Sequence, residues 1–348
     1  MSYSLIISFL FSFFATYFLT PHIIKYFRIV GLMVRDFHKK NNPLVPWSMG
    51  IPVLAGLMAG VMFYVFSQVF FYSDQSSVIE LFAGMTTVMI ATFVGFLDDL
   101  NVRGTKFKSY DYEAEQKSHI TGLSKKRWVK PFLTLPAAIP LMVINAGHTT
   151  AVLPLLGTIN FGIFYPLLII PIGVVGATNM VNMLGGYNGI EAGMGAVYTL
   201  ALGIFAFTHG SAVASVIFLS AFAALLAILK FNFIPAKILP GDSLQYLLGA
   251  VVVTGAVIGD MQKATFIAVL PIFLNAAYKI YLRFFKLGYF PGELSVLQKD
   301  GTLKSKYNKS YTIINFLLRH GKLTERKLVL TMIGIEIIFS IIPFLGIF

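Results

Sequence analysis

Apolar stretches of about 20 residues recur from one end of this chain to the other, and that recurrence leaves few folds open. About 20 consecutive apolar residues carry an α-helix across the hydrocarbon core of a bilayer, where every backbone N–H and C=O must be satisfied internally. Ten such stretches are read from the sequence: 3–21, 50–72, 79–97, 131–147, 161–180, 190–208, 211–229, 243–259, 264–284 and 328–348. Only 12% of the 348 residues are charged, against about 25% in ordinary soluble domains. The pattern predicts an all-α, polytopic membrane protein of about ten transmembrane helices, forming a single integral membrane domain over 1–348. The first stretch has no basic n-region and no small-residue cleavage site, and is read as a retained helix. The chain has no cysteine, which excludes disulfides, thiolate nucleophiles and Cys-type zinc sites.

The loops between these stretches fall into two alternating sets. One comprises 22–49, 98–130, 181–189, 230–242 and 285–327. The other comprises 73–78, 148–160, 209–210, 260–263 and both termini. Of the 27 Lys and Arg residues, all but Lys263 lie in the first set or at span ends that face it. The positive-inside rule then places the first set in the cytoplasm and both termini outside. A misplaced span would invert the downstream half and scatter the basic residues over both faces. The net charge of +12 points to a basic face and an anionic substrate rather than to nucleic acid.

Carboxylates are costly in a bilayer and mark function when found there. Asp98 and Asp99 close the third stretch. Adjacent carboxylates are tolerated when solvated or when a cation neutralises them, and at a helix C-terminus they oppose the helix dipole. A second cluster runs from Asn179 to Glu191. Asn179 and Asn182 share a helix face, and three glycines within five residues let the backbone turn sharply and approach a ligand; a mere polar turn between two helices would need neither two Asn inside the helix end nor a Glu after it. In Pro240-Gly241-Asp242-Ser243, Asp242 reads by itself as a helix cap. A basic segment follows the first stretch and includes Arg35, Asp36, His38, Lys39 and Lys40; anionic lipid accounts for any one of these lysines. Lys130 stands at the mouth of the fourth stretch, where an ammonium binds phosphate as a point charge.

Carboxylates, carboxamides, glycines and lysines thus converge on one membrane face. That set suits a divalent cation holding a phosphate-bearing substrate, and Mg²⁺ prefers such oxygen donors. The six histidines are scattered, and no Gly-x-x-x-x-Gly-Lys loop is present, so neither a zinc cluster nor ATP-driven transport is supported.

On these residues the chain resembles the polyprenyl-phosphate N-acetylhexosamine-1-phosphate transferases. Gly95-Phe96-Leu97-Asp98-Asp99 matches the family's Phe-x-Asp-Asp motif. The stretch 179–193, NMVNMLGGYNGIEAG, is similar to the signature of the dolichyl-phosphate branch, which uses UDP-N-acetylglucosamine, and Asn188 and Glu191 separate it from the bacterial lipid I enzymes. The stretches 232–249, NFIPAKILPGDSLQYLLG, and 314–328, INFLLRHGKLTERKL, resemble further segments of that branch. The resemblance covers almost the whole chain. It implies a ten-helix enzyme with a cytoplasmic active site that joins a sugar 1-phosphate to a polyprenyl or dolichyl phosphate and releases UMP. Its cofactor would be Mg²⁺, with Mn²⁺ able to substitute, and the family commonly forms homodimers. Asp242 and Asn182 would ligate the metal. The Gly186 backbone and Asn188 would hold the uracil, with Glu191 in the same nucleotide-binding signature. Lys130 would contact the diphosphate, Asp98 and Asp99 would orient or activate the lipid phosphate, and Asp36 and Lys39 would lie near the lipid phosphate or the nucleotide. The membrane would be the plasma membrane of a prokaryote, with an archaeal source suggested by the mixed match.

Three departures stand out. The last large loop lacks the arginines of the eukaryotic Pro-Arg-His-Arg segment, with Tyr289 to Leu294 in their place. Trp47 stands where eukaryotic members carry an acidic residue. The loop between Asp99 and Lys130 holds a polar insertion, 109–119. These keep open another UDP-sugar, such as UDP-N-acetylgalactosamine, or an undecaprenyl acceptor. A transporter of nucleotide sugars or lipids is the rival of another class. It would place polar groups at the midplane and repeat its halves, whereas here the polar residues gather at one face.

Overall fold

The computed structural model describes residues 2–101, 130–145, 148–153, 157–287 and 295–346. The fold is a helical membrane bundle. In chain order its helices are α1 (Ser2–Ile29), α2 (Gly50–Tyr72), α3 (Val78–Asn101), α4 (Ile139–Ile144), α5 (Ile170–Asn182), α6 (Ile190–Thr208), α7 (Ala212–Asn232), α8 (Gly241–Ile258), α9 (Gln262–Ala268), α10 (Leu270–Tyr281), α11 (Ile313–His320) and α12 (Glu325–Ile341). A 3₁₀ segment, Lys130–Ala138, leads into α4, and a π-helical turn, Tyr165–Ile169, leads into α5.

Eight of the ten expected spans are unbroken helices long and apolar enough to cross a membrane. The expected span 264–284 is instead a pair, α9 and α10, bent by 75° at their junction. Pro271 in the first turn of α10 explains the break, because its ring denies a hydrogen bond to the preceding turn. The expected span 131–147 becomes an apolar helix over Phe132–Ile144, only about 20–25 Å long at 1.5–2.0 Å per residue. Proline at 136 and 140 keeps much of it in the tighter 3₁₀ form. Three antiparallel hairpins occupy loops: β1 (Met33–Arg35) with β2 (Leu44–Pro46), β3 (Thr150–Leu153) with β4 (Gly157–Asn160), and β5 (Ser295–Leu297) with β6 (Leu303–Ser305).

The core lies around α8, which packs against α3 and α5, with α7 and α6 beside it. Helices α7 and α8 are mostly buried, while α1 and α12 turn much of their surface outward. In lipid, close helix contact comes from small residues rather than from apolar burial. Along α1, Ser4, Ser8, Ser12, Thr16 and Thr20 recur every fourth residue and are all buried, and the Ser12 hydroxyl donates to the Ser220 carbonyl on α7 (2.6 Å). Helices α5 and α8 touch where a side chain at Gly249 would overlap the backbone of Ala177 and Thr178. From that crossing α5 runs to Asn182 and α8 runs back to Asp242, so both residues emerge at the same end of the bundle. The segment before α2 joins them there: Met49 N–H donates to the Leu239 and Pro240 carbonyls, and Leu239 N–H to the Pro46 carbonyl.

Candidate active site

At that end, Asp99 of α3 is 2% exposed and accepts four hydrogen bonds. Its Oδ1 takes Trp47 Nε1–H and the Asp242 backbone N–H, both at 2.7 Å. Its Oδ2 takes the Ser243 backbone N–H at 3.2 Å and the Ser48 hydroxyl. The carboxylate therefore satisfies two backbone donors that the first turn of α8 cannot pair within the helix. Carboxylates at the end of α3 oppose their own helix dipole, but this one sits at the favourable end of its neighbour's. Gly241 makes the approach feasible. Its φ is 67°, in the left-handed region, and a Cβ there would overlap the Asp99 carboxylate. Asp98, beside it, is also buried.

A second cluster joins the first loop to the turn before α6 and to the start of α12. Asn188 Nδ2 donates to Asp36 Oδ2 (2.6 Å), and the Asn188 backbone N–H donates to Glu325 Oε1 (3.0 Å). Lys39 lies between the two carboxylates, 3.4 Å from Asp36 and in direct contact with Glu325. Glu325 carries no role in the sequence reading. Its signal is its place in the first turn of α12, just after Thr324, whose side chain caps that helix, but its partners are 137 and 286 residues away. His38 stacks on Tyr187, with ring centroids 4.5 Å apart. Burial, and then the charge of Lys39, push the His38 imidazole down to about 4, against weaker opposing pulls from Asp36 and the Gly186 backbone. It is therefore neutral at pH 7.

The turn between α5 and α6 is held from beneath. Glu191 is buried, and its Oε1 accepts from Gln245 Nε2 (3.2 Å) one turn into α8. From α10, Asn275 Nδ2 (3.2 Å) and the buried Lys279 ammonium both donate to the Met183 carbonyl. A cation at that carbonyl also complements the C-terminal dipole of α5. Asn179 Nδ2 donates back to the Val175 carbonyl (2.8 Å). Gly186, exposed and with φ 131°, crowns the turn. The α5–α10 contacts depend on the bend at Pro271 and are invisible in composition.

The structure thus gathers Asp36, Lys39, Asp98, Asp99, Asn182, Gly186, Asn188, Glu191 and Asp242 at one end of the bundle, with Glu191 beneath the turn and Asp99 inside the joint between α3 and α8. Lys130 opens the 3₁₀ segment, which a Thr134–Thr178 hydroxyl contact (3.1 Å) ties to α5; its side chain lies outside the described residues. So do the 109–119 insertion and Tyr289 to Leu294. Among the described residues, no three His, Cys, Asp or Glu side chains are grouped to hold a metal. Asp242 and Asn182, near the ends of packed helices on the same side of the bundle, would offer a hard cation oxygen donors. Mg²⁺ commonly binds through one or two carboxylates, keeping waters and substrate phosphates in its shell, so the donor set fits that ion.

Comparison with known proteins brings in a family. The sequence profile of Glycosyl transferase family 4 matches residues 81–260, from α3 through α8. A Saccharolobus solfataricus protein, provisionally named UDP-N-acetylglucosamine–dolichyl-phosphate N-acetylglucosaminephosphotransferase, is 30% identical over 342 residues, covering 97% of this chain and 95% of its own. A Dictyostelium discoideum protein named for the same activity is 25% identical over 94% of this chain and 85% of its own. The phospho-N-acetylmuramoyl-pentapeptide-transferase of Halalkalibacterium halodurans is 27% identical over 74% of this chain and 76% of its own.

Proposed function

The chain belongs to glycosyl transferase family 4, and from that premise we propose that it transfers N-acetylglucosamine 1-phosphate, or a related N-acetylhexosamine 1-phosphate, from a UDP-sugar to a polyprenyl or dolichyl phosphate, releasing UMP. One observation carries this reading. Asp98, Asn182, Asn188 and Asp242 come together at one end of a membrane-spanning bundle, where a lipid headgroup and a water-soluble donor can meet. The distribution of Lys and Arg supports a cytoplasmic face for that end, at the plasma membrane if the source is a prokaryote.

Asn188 supports the nucleotide assignment. A carboxylate only accepts hydrogen bonds, so the group facing Asp36 is the Asn188 NH₂. Its carbonyl oxygen is then the atom presented to a base, and the N3–H of uracil matches an acceptor. Lys39 offsets the charges of Asp36 and Glu325, so the pair that fixes Asn188 repels an anionic donor less. Glu191 keeps the Gly185–Gly186 turn in place from below.

The lipid phosphate needs no strong base. The second pKa of a phosphate monoester is near 6, so the attacking oxygen is largely ionised at pH 7. The harder task is to bring two anions together. Asp242 and Asn182 would hold Mg²⁺, or Mn²⁺ in its place, which when bound neutralises charge on the diphosphate. Lys130 adds a point charge there, and Asp98 orients the lipid phosphate. With the reactants held in line, the lipid phosphate oxygen bonds to the β-phosphorus as the bond to the UMP oxygen breaks, its electron pair leaving with UMP.

The test is UMP release by purified protein in detergent with Mg²⁺, dolichyl phosphate and UDP-N-acetylglucosamine. The expected result is UMP release that EDTA stops. No UMP from UDP-N-acetylglucosamine or UDP-N-acetylgalactosamine, with either dolichyl or undecaprenyl phosphate, would overturn the proposal.

A further inference from the structure

We infer that the two adjacent aspartates do different work, and that Asp99 is a positioning residue: braced by Trp47 and Ser48, it fixes the first turn of α8 and thereby aims Asp242. The inference rests on the reading that Asp242 holds the cation. Both Asp99 oxygens already accept two hydrogen bonds each, from Trp47 and Asp242 on one side and from Ser48 and Ser243 on the other. Two oxygens offer about four lone-pair directions, so this set leaves none for a lipid phosphate.

The backbone on both sides is shaped for this joint. At Gly241 a side chain would displace the Asp99 carboxylate, and one turn before Asp99 a side chain at Gly95 would meet the Asp242 carbonyl. The α3 end and the α8 start are thus built to touch through Asp99, with the Asp242 backbone N–H part of the contact. Hydrogen bonds to an ionised acceptor are the strong, directional ones, so the joint holds the Asp242 backbone tightly. Trp47 completes the joint from the segment before α2, donating its indole N–H to Asp99 Oδ1. An acid there would repel Asp99, whereas the indole N–H grips it.

The test separates aim from contact. Mn²⁺ affinity is read by electron paramagnetic resonance with UDP-N-acetylglucosamine present and no lipid acceptor, and the KM for polyprenyl phosphate is read in turnover. Trp47→Phe is the mild variant, removing one donor and keeping the ring. Asp99→Asn is the stronger one, because its NH₂ faces two donors. Both should weaken Mn²⁺ binding, by about 3-fold and about 10-fold or more, with the lipid KM within about 2-fold of the parent. A raised lipid KM with unchanged Mn²⁺ affinity in either variant would overturn the inference. Asp242→Ala is the reference. If it too binds Mn²⁺ like the parent, the cation assignment itself fails; if only Asp242→Ala loses Mn²⁺, the positioning role alone fails.

Discussion

Glu325 offers a perturbation whose size follows from the geometry. Its carboxylate accepts the Asn188 backbone N–H (3.0 Å) and contacts the Lys39 ammonium, and it is nearly closed to solvent. Replacing it removes a negative charge as well as two contacts. The lost charge by itself would favour an anionic donor, by about 1 kcal/mol for unit charges some 10 Å apart at an effective dielectric near 30. Glu325→Gln and Glu325→Ala share that change. They differ in that Gln keeps an oxygen for the Asn188 N–H and Ala leaves that buried donor unpaired. An unsatisfied buried donor costs about 1–3 kcal/mol. At 1.4 kcal/mol per tenfold, Glu325→Ala should fall below Glu325→Gln by about 5- to 140-fold in kcat/KM for the UDP-sugar. The assay is UMP release against donor concentration at saturating lipid phosphate. Equal donor kcat/KM in the two variants would refute the claim that Glu325 holds Asn188 for the nucleotide. So would a difference confined to the lipid KM.

Asp242→Ala should abolish turnover, by more than about 100-fold, while leaving a folded, membrane-inserted protein by size-exclusion profile. Lys263→Ala, in a cavity with His209 and Asp260 at the other end of the bundle, should change kcat by less than 2-fold. His38 ties stability to pH. Its folded value of about 4 lies below the unfolded value of about 6.5, so the unfolded chain binds the proton first. The stabilisation is complete above pH 6.5 and drains away as pH falls toward 4, by up to about 3 kcal/mol. Melting temperature should therefore fall more steeply over that range in the parent than in His38→Phe. A donor chiral at the β-phosphorus should give inverted product. Retention would require a covalent intermediate, with Asp98 the nearest candidate.

What the sequence discloses and what it hides divide along the range of the interactions. Span composition is local, so the long helices and the alternation of basic loops can be read directly, as can Asp98–Asp99 and the Asn179–Glu191 turn. The pairings that give those residues their surroundings are not local. Trp47 and Asp99 are 52 residues apart, and Asp36 and Asn188 are 152 apart. Asp99 shows the consequence. Read along its own helix it has no favourable partner, and its partners come from α8 and from Trp47 and Ser48 before α2. The stretch 264–284 reads as one apolar span, and neither its bend at Pro271 nor the placement of Lys279 beneath Met183 shows in its composition. The hairpins have strands of three or four residues, too short for alternation to register.

The central claim is that the sugar moves together with a phosphate. It is tested most directly with UDP-N-acetylglucosamine labelled with ³²P in the β-phosphate, incubated with the protein, Mg²⁺ and dolichyl phosphate and then partitioned between organic and aqueous phases. The account predicts label in the lipid product, a diphosphate-linked N-acetylglucosamine, in step with unlabelled UMP in water, and neither with Asp242→Ala. Label remaining in water as UDP while the sugar passes to the lipid would contradict it, because the bond broken would then be the glycosidic one and not the bond at the β-phosphorus.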